Sequence, residues 1–175
     1  MEDRNPSDDG LDLRDQDGNG LSLRIDGYQF PSKTDSNDAN WLNVVVSVDT
    51  NAGSWAFVAP CLMGFEAELL GDWLDSLLHG SAPAVREAAA TPDLSFIEPD
   101  LAFSTVGVIN ERIVLRVFFA AAGAPPWRPS ERAVVTRSVF FDFDLSNDDV
   151  LSSLAMWRRA CRQYPNRYDS RSRRR

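Results

Sequence analysis

The chain has 175 residues, 43% of them hydrophobic, which suits one ordinary core and makes two domains a poor default. No run approaches the roughly 20 apolar residues that a membrane helix needs, and the acid-bearing N-terminus lacks the basic-then-apolar order of a signal peptide. A single cytoplasmic domain without a membrane segment is therefore expected.

The formal net charge of −8 is unevenly spread. Residues 1–20 hold seven acids against two arginines, and residues 158–175 hold eight arginines against one aspartate, so the 137 residues between them carry −10. Such a body repels phosphate backbones and steers basic partners. The arginine cluster has only Tyr164 and Tyr168 as stacking groups and sits beside that acidic body, so nucleic-acid binding is not expected.

In chain order, residues 1–20 are rich in Asp, Asn, Gly and Ser and are expected to form a disordered acidic tail, leaving 21–166 as the domain and 167–175 as a disordered arginine-rich tail. Leu21, Leu23 and Ile25 alternate with polar residues as a first strand, and Ser32 to Asn40 reads as an exposed loop. Trp41–Asp49 is the next strand, with Leu42, Val44, Val46 and Val48 on its core side. Asp49, Asn51 and Gly53 then turn the chain into Ser54–Val58, a strand that Pro60 is expected to end.

From Phe65 the period changes to that of a helix. Phe65, Leu69, Trp73 and Leu77 recur every four residues beside Leu70, Leu74 and Leu78, with Glu66, Glu68, Asp72 and Asp75 opposite, so an amphipathic helix to His79 closed by Gly80 is predicted. Ser81 to Pro92 reads as an alanine-rich loop. Three strands follow: one entered through Glu98-Pro99-Asp100 and begun by Leu101 and Phe103; Ile113–Phe119, with Ile113, Leu115, Val117 and Phe119 on one side; and Val139–Leu145. Ala120 to Arg137, with Pro125-Pro126-Trp127 and Pro129, reads as a stiff loop carrying an indole. Ser146 and Asp149 cap a last helix, Asn147 to Tyr164, whose apolar face is Val150, Leu151, Leu154, Trp157 and Cys161.

Together these elements predict an α+β fold, a curved antiparallel sheet of about six or seven strands with one internal and one C-terminal helix. Little in the chain carries chemistry. His79 sits at a helix end, where it caps; Cys61 and Cys161 lack paired-ligand spacing and read as small buried hydrophobes. With one histidine there is no metal cluster, and no phosphate loop or dinucleotide fingerprint is present, so no cofactor and no enzymatic activity are expected. Two pairs of carboxylates remain, Asp142 with Asp144 on one strand and Glu98 with Asp100 about a proline corner. They suit either a paired-acid hydrolase or a recognition patch with Phe140 or Trp127 as aromatic anchor, while acids alternating on a strand are most often its solvated face.

Several short pieces, read in order, resemble the WapI family of bacterial immunity proteins. They are Tyr28-Gln29-Phe30-Pro31, Asn40-Trp41-Leu42, Gly53-Ser54-Trp55-Ala56-Phe57 with Pro60-Cys61-Leu62, Trp73-Leu74, Leu94 through Phe103, and Pro125-Pro126-Trp127, within a match from about Gly27 to Arg167. The resemblance implies a small cytoplasmic protein that protects a cell from the C-terminal toxin domain of a wall-associated polymorphic toxin; in the founding system the toxin acts on transfer RNA. It implies non-enzymatic inhibition by tight 1:1 binding to a cognate toxin domain, expected to be basic. The motifs are mostly aromatic, proline and glycine positions and carry over no binding residue. From the residues themselves, Asp142, Asp144, Glu98, Asp100 and Phe140 are the candidate toxin contacts. The alternative is a ligand- or carbohydrate-binding module using Trp127, Trp41 or Trp55.

Overall fold

The computed structural model describes residues 9–79, 91–109, 112–127 and 139–168. The expected helix stop at Gly80, most of the Ser81–Pro92 stretch, the loop beyond Trp127 and the last seven residues lie outside them. Among the described residues the chain forms eight strands and two α-helices: β1 (Leu11–Arg14), β2 (Gly20–Tyr28), β3 (Trp41–Thr50), β4 (Gly53–Met63), α1 (Gly64–His79), β5 (Leu94–Ser95), β6 (Leu101–Ile109), β7 (Arg112–Phe119), β8 (Val139–Ser146) and α2 (Asn147–Gln163).

The strands do not make the single sheet expected from the sequence. They form two four-stranded antiparallel sheets, in the orders β1-β2-β3-β4 and β5-β6-β7-β8, with α1 between them in the chain. The reason is in the burial. Leu13, Leu21, Val48 and Trp55 form one cross-strand row of the first sheet, and Leu101, Phe119 and Val139 one row of the second; all are buried. Trp55 of β4 packs edge-on to Phe119 of β7 at 5.1 Å and against Phe141 of β8 at 5.6 Å. The two sheets and both helices contribute to one hydrophobic cluster, so sheet covers sheet where one curved sheet would have needed helices alone.

Two further expectations change. The segment 1–20 contains β1: Leu11 and Leu13 are buried, Asp12 and Arg14 face out, and the Asp15 carboxylate accepts the Asp17 and Asn19 N–H groups to close the turn into β2. Four residues supply too few apolar side chains for the strand to stand out of a polar run. Pro60 does not end β4, which continues to Met63. The register slips by one residue opposite Leu42 to Val44, where Pro60 lies, and β4 is an edge strand; an edge and a bulge are where a ladder tolerates proline.

The helices close the core. Trp157 of α2, fully buried, donates its indole N–H to the Ala67 carbonyl of α1 at 2.8 Å. Gly71 faces the same ring, and a Cβ there would meet it in van der Waals contact at 3.4 Å. Ser146 caps α2 as predicted, its Oγ accepting the Asp149 N–H at 3.1 Å and donating to the Asp149 carboxylate at 2.6 Å. The chain beyond α2 is held as well. Arg167, placed in a disordered tail by the sequence reading, donates to the carbonyls of Phe30, Pro31 and Ala39 and lies 3.6 Å over the Tyr28 ring.

Candidate functional site

The predicted contact residues divide on the structure. Phe140, Asp142 and Asp144 alternate along β8 and share the outer face of the second sheet, as their spacing requires. Across the ladder stand Phe118, Arg116 and Val114 of β7. Arg116 is almost wholly buried; it grips Asp142 through two parallel bonds of 2.7 and 2.8 Å, and its guanidinium lies 3.9 Å from the Phe140 ring centre. The bond to Asp142 raises the Arg116 pKa against the opposing effect of burial. Asp144 accepts Arg112 Nε at 2.9 Å. This face therefore carries paired charges, and its acids already hold arginines.

Glu98 and Asp100 are not part of that face. They precede β6, two strands from β8 or roughly 10 Å away in the plane of the sheet. Asp100 is buried: its Oδ1 accepts the Ala122 N–H at 2.9 Å and its main-chain oxygen accepts the Ala120 N–H at 3.1 Å, so it anchors the turn after β7. Burial pushes its carboxyl up, and the N–H groups of Ala122 and Gly123 pull it back down. Glu98 is exposed.

Of the tryptophans named for a ligand-binding module, Trp127 is exposed. Trp55 is buried and donates its indole N–H to the Gly123 carbonyl at 3.0 Å. Trp127 packs edge-on to Trp55 at 5.4 Å and over Gly53, whose φ of +139° and lack of a Cβ allow that contact. Trp41 is seven residues along β3 from Val48, the partner of Trp55, or roughly 23 Å. The three indoles do not converge. His79 does cap the last turn of α1, with Nδ1 at 3.0 Å from the Asp75 carbonyl. Cys61 and Cys161 are free and buried, and burial pushes both thiols up to about 12. Among the described residues no cluster of His, Cys, Asp or Glu could hold a metal ion, and no helix is long and apolar enough to cross a membrane.

The expected helix forms over Gly64–His79 with Leu70 and Leu74 buried, but three of its residues lie on the other side from that expected. Its buried side is Glu66, Ala67, Leu70, Gly71 and Leu74, while Phe65 and Leu69, predicted for the core, are 46% and 45% exposed. Glu66, predicted for the solvent side, is buried. One carboxylate oxygen accepts the Met63 N–H at 2.9 Å, reaching back to the residue before the helix, and the other accepts the Ile97 N–H at 2.8 Å. That second bond holds Ile97, 60% exposed, beside the first turn of α1. Phe65, Leu69 and Ile97 are accordingly exposed apolar groups on α1 and on the turn bonded to its first residues, and Glu68, Asp72 and Glu98 are exposed as well.

The sequence that supplies them is poor in cations. From residue 34 to residue 111 the sequence contains twelve acids and a single cation of the Lys/Arg type, Arg86. Arg158 of α2 reaches α1 from the other flank, 3.6 Å from Asp72 and 3.4 Å from Asp75. The signal that could have found this region was present in the sequence as that long cation-poor run.

Compared with known proteins, the chain matches the model of the immunity protein WapI-like family over residues 12–165, from β1 to just beyond α2. No curated protein and no solved structure gives a significant match.

Proposed function

Since the chain belongs to the WapI-like immunity protein family, we propose that it neutralises a cognate bacterial toxin domain by binding it, without catalysis of its own. The observation that carries this reading is the extent of the family match, which takes in both sheets and both helices. The contact is acidic and the toxin domain basic. A toxin that acts on RNA needs cations to hold phosphate, and an acidic protein that covers those cations blocks the reaction. The cation-poor segment 34–111 supports this polarity. Of the residues first expected at the contact, Glu98 and Phe140 stand exposed and available to a partner, whereas Asp142, Asp144 and Asp100 make bonds within the fold.

The test is co-expression with the toxin-like domain encoded beside this gene, scoring cell survival and co-purification. Survival together with a stable complex is the expected outcome. Killing despite full expression, with no complex recovered, would contradict the reading.

A further inference from the structure

We propose that the outer face of α1 with the adjoining Ile97–Glu98 turn is the surface on which a basic toxin domain docks. The inference rests on the toxin-neutralising reading above and says where on the molecule it happens. Three features support it. Phe65 and Leu69 are one turn apart on the solvent side of α1, where a helix that served only the core would carry polar residues. Ile97, also exposed, is tied to the start of α1 through Glu66, a buried carboxylate whose two oxygens accept the Met63 and Ile97 N–H groups, so the helix and the turn before β6 are held together ahead of binding. Glu68 and Glu98 are exposed acids on the same helix and turn, in a stretch of sequence nearly without cations, which favours a basic occupant, while Asp72 is engaged by Arg158 of α2. A few apolar anchors within a charged rim is the composition of a binding hot spot. Phe140 on β8 is also exposed, but its neighbour Arg116 stacks on its ring and neutralises Asp142, so that face has no comparable charge preference.

The experiment measures binding of the neighbour-encoded toxin domain to the full chain, in wild type, in the double variant Phe65→Ser with Leu69→Lys, in Glu98→Lys, and in Leu151→Lys on the exposed side of α2 as a control. Thermal melts verify folding. The double variant should lose about a hundredfold in affinity and Glu98→Lys about tenfold, chiefly in association rate, with Leu151→Lys unchanged. Should the double variant fail to fold, Glu98→Lys alone decides. Wild-type affinity in the folded α1 and Glu98 variants, or loss on Phe140→Ser in their place, overturns the proposal and leaves the toxin reading standing. A wild-type chain that dimerises, and that Leu69→Lys converts to a monomer without loss of toxin binding, assigns the face to a second copy and also overturns it. Failure of the wild type to bind the toxin domain overturns both.

Discussion

The two helices lie against each other and differ in how much of the expected apolar stripe is buried. In α2 Val150, Leu154, Trp157 and Cys161 are in the core and Leu151 of the expected stripe is exposed, the first turn carries Asp148 and Asp149, and the last carries Arg162. In α1 the buried stripe is Ala67, Leu70, Gly71 and Leu74, with Trp73 and Leu77 packed at its border, and Phe65 and Leu69 of the expected stripe face water. Leu70 and Leu74 fill the core beside the small Ala67 and Gly71, and the side that carries Phe65 and Leu69 is the one proposed above as the docking surface.

The comparison breaks first at Trp157. Trp157→Ala removes a fully buried ring and an internal hydrogen bond and should cost about 3–5 kcal/mol in urea unfolding, against well under about 1 kcal/mol for Phe65→Ala or Leu69→Ala. Comparable losses for all three would mean that Phe65 and Leu69 belong to the core. Glu66→Ala comes next. It leaves the Met63 and Ile97 N–H groups without their acceptor and should cost about 2 kcal/mol, and amide exchange at Ile97 should quicken with it. Unchanged exchange at Ile97 would show that Glu66 does not hold the turn.

Ser146→Ala should lower stability by about 1 kcal/mol, because α2 loses its side-chain cap. A loss below a few tenths would mean that Asp148 and Asp149 suffice.

The smallest effect separates an acid of the fold from an acid of the surface. Burial raises the Asp100 carboxyl, so its contribution to stability is fully present below the ordinary carboxylate value of about 3.9 and is lost as pH rises through the raised value. Asp100→Asn does not titrate and still offers an oxygen to the Ala122 N–H. Its melting temperature relative to wild type should therefore climb between pH 3 and pH 7. A constant difference would refute the burial argument.

Much of the fold was legible because alternation is local. Ile113, Leu115, Val117 and Phe119 announce their buried side without any knowledge of what buries them, and the same holds for Leu42 to Val48. What covers that side is not local, and so the division into two facing sheets was invisible. The four residues of β1 were too few to register against their polar neighbours. At the candidate site, the exposure of Phe140 and the outward side of β8 were readable from spacing, whereas the proline corner gave no sign that Glu98 is exposed and Asp100 buried. The arginine partners of Asp142 and Asp144 needed the β7–β8 register, which sets Arg116 opposite Asp142. The four-residue rhythm placed Trp73 and Leu77 against the core and failed for Phe65 and Leu69, because periodicity finds an apolar stripe and does not say how much of it is covered.

The most direct measurement is the kinetics of binding between this protein and its neighbour-encoded toxin domain across a salt series. An acidic rim around apolar anchors predicts an association rate that falls steeply with ionic strength while the dissociation rate barely moves. Absence of binding, or an association rate indifferent to salt, would contradict the account.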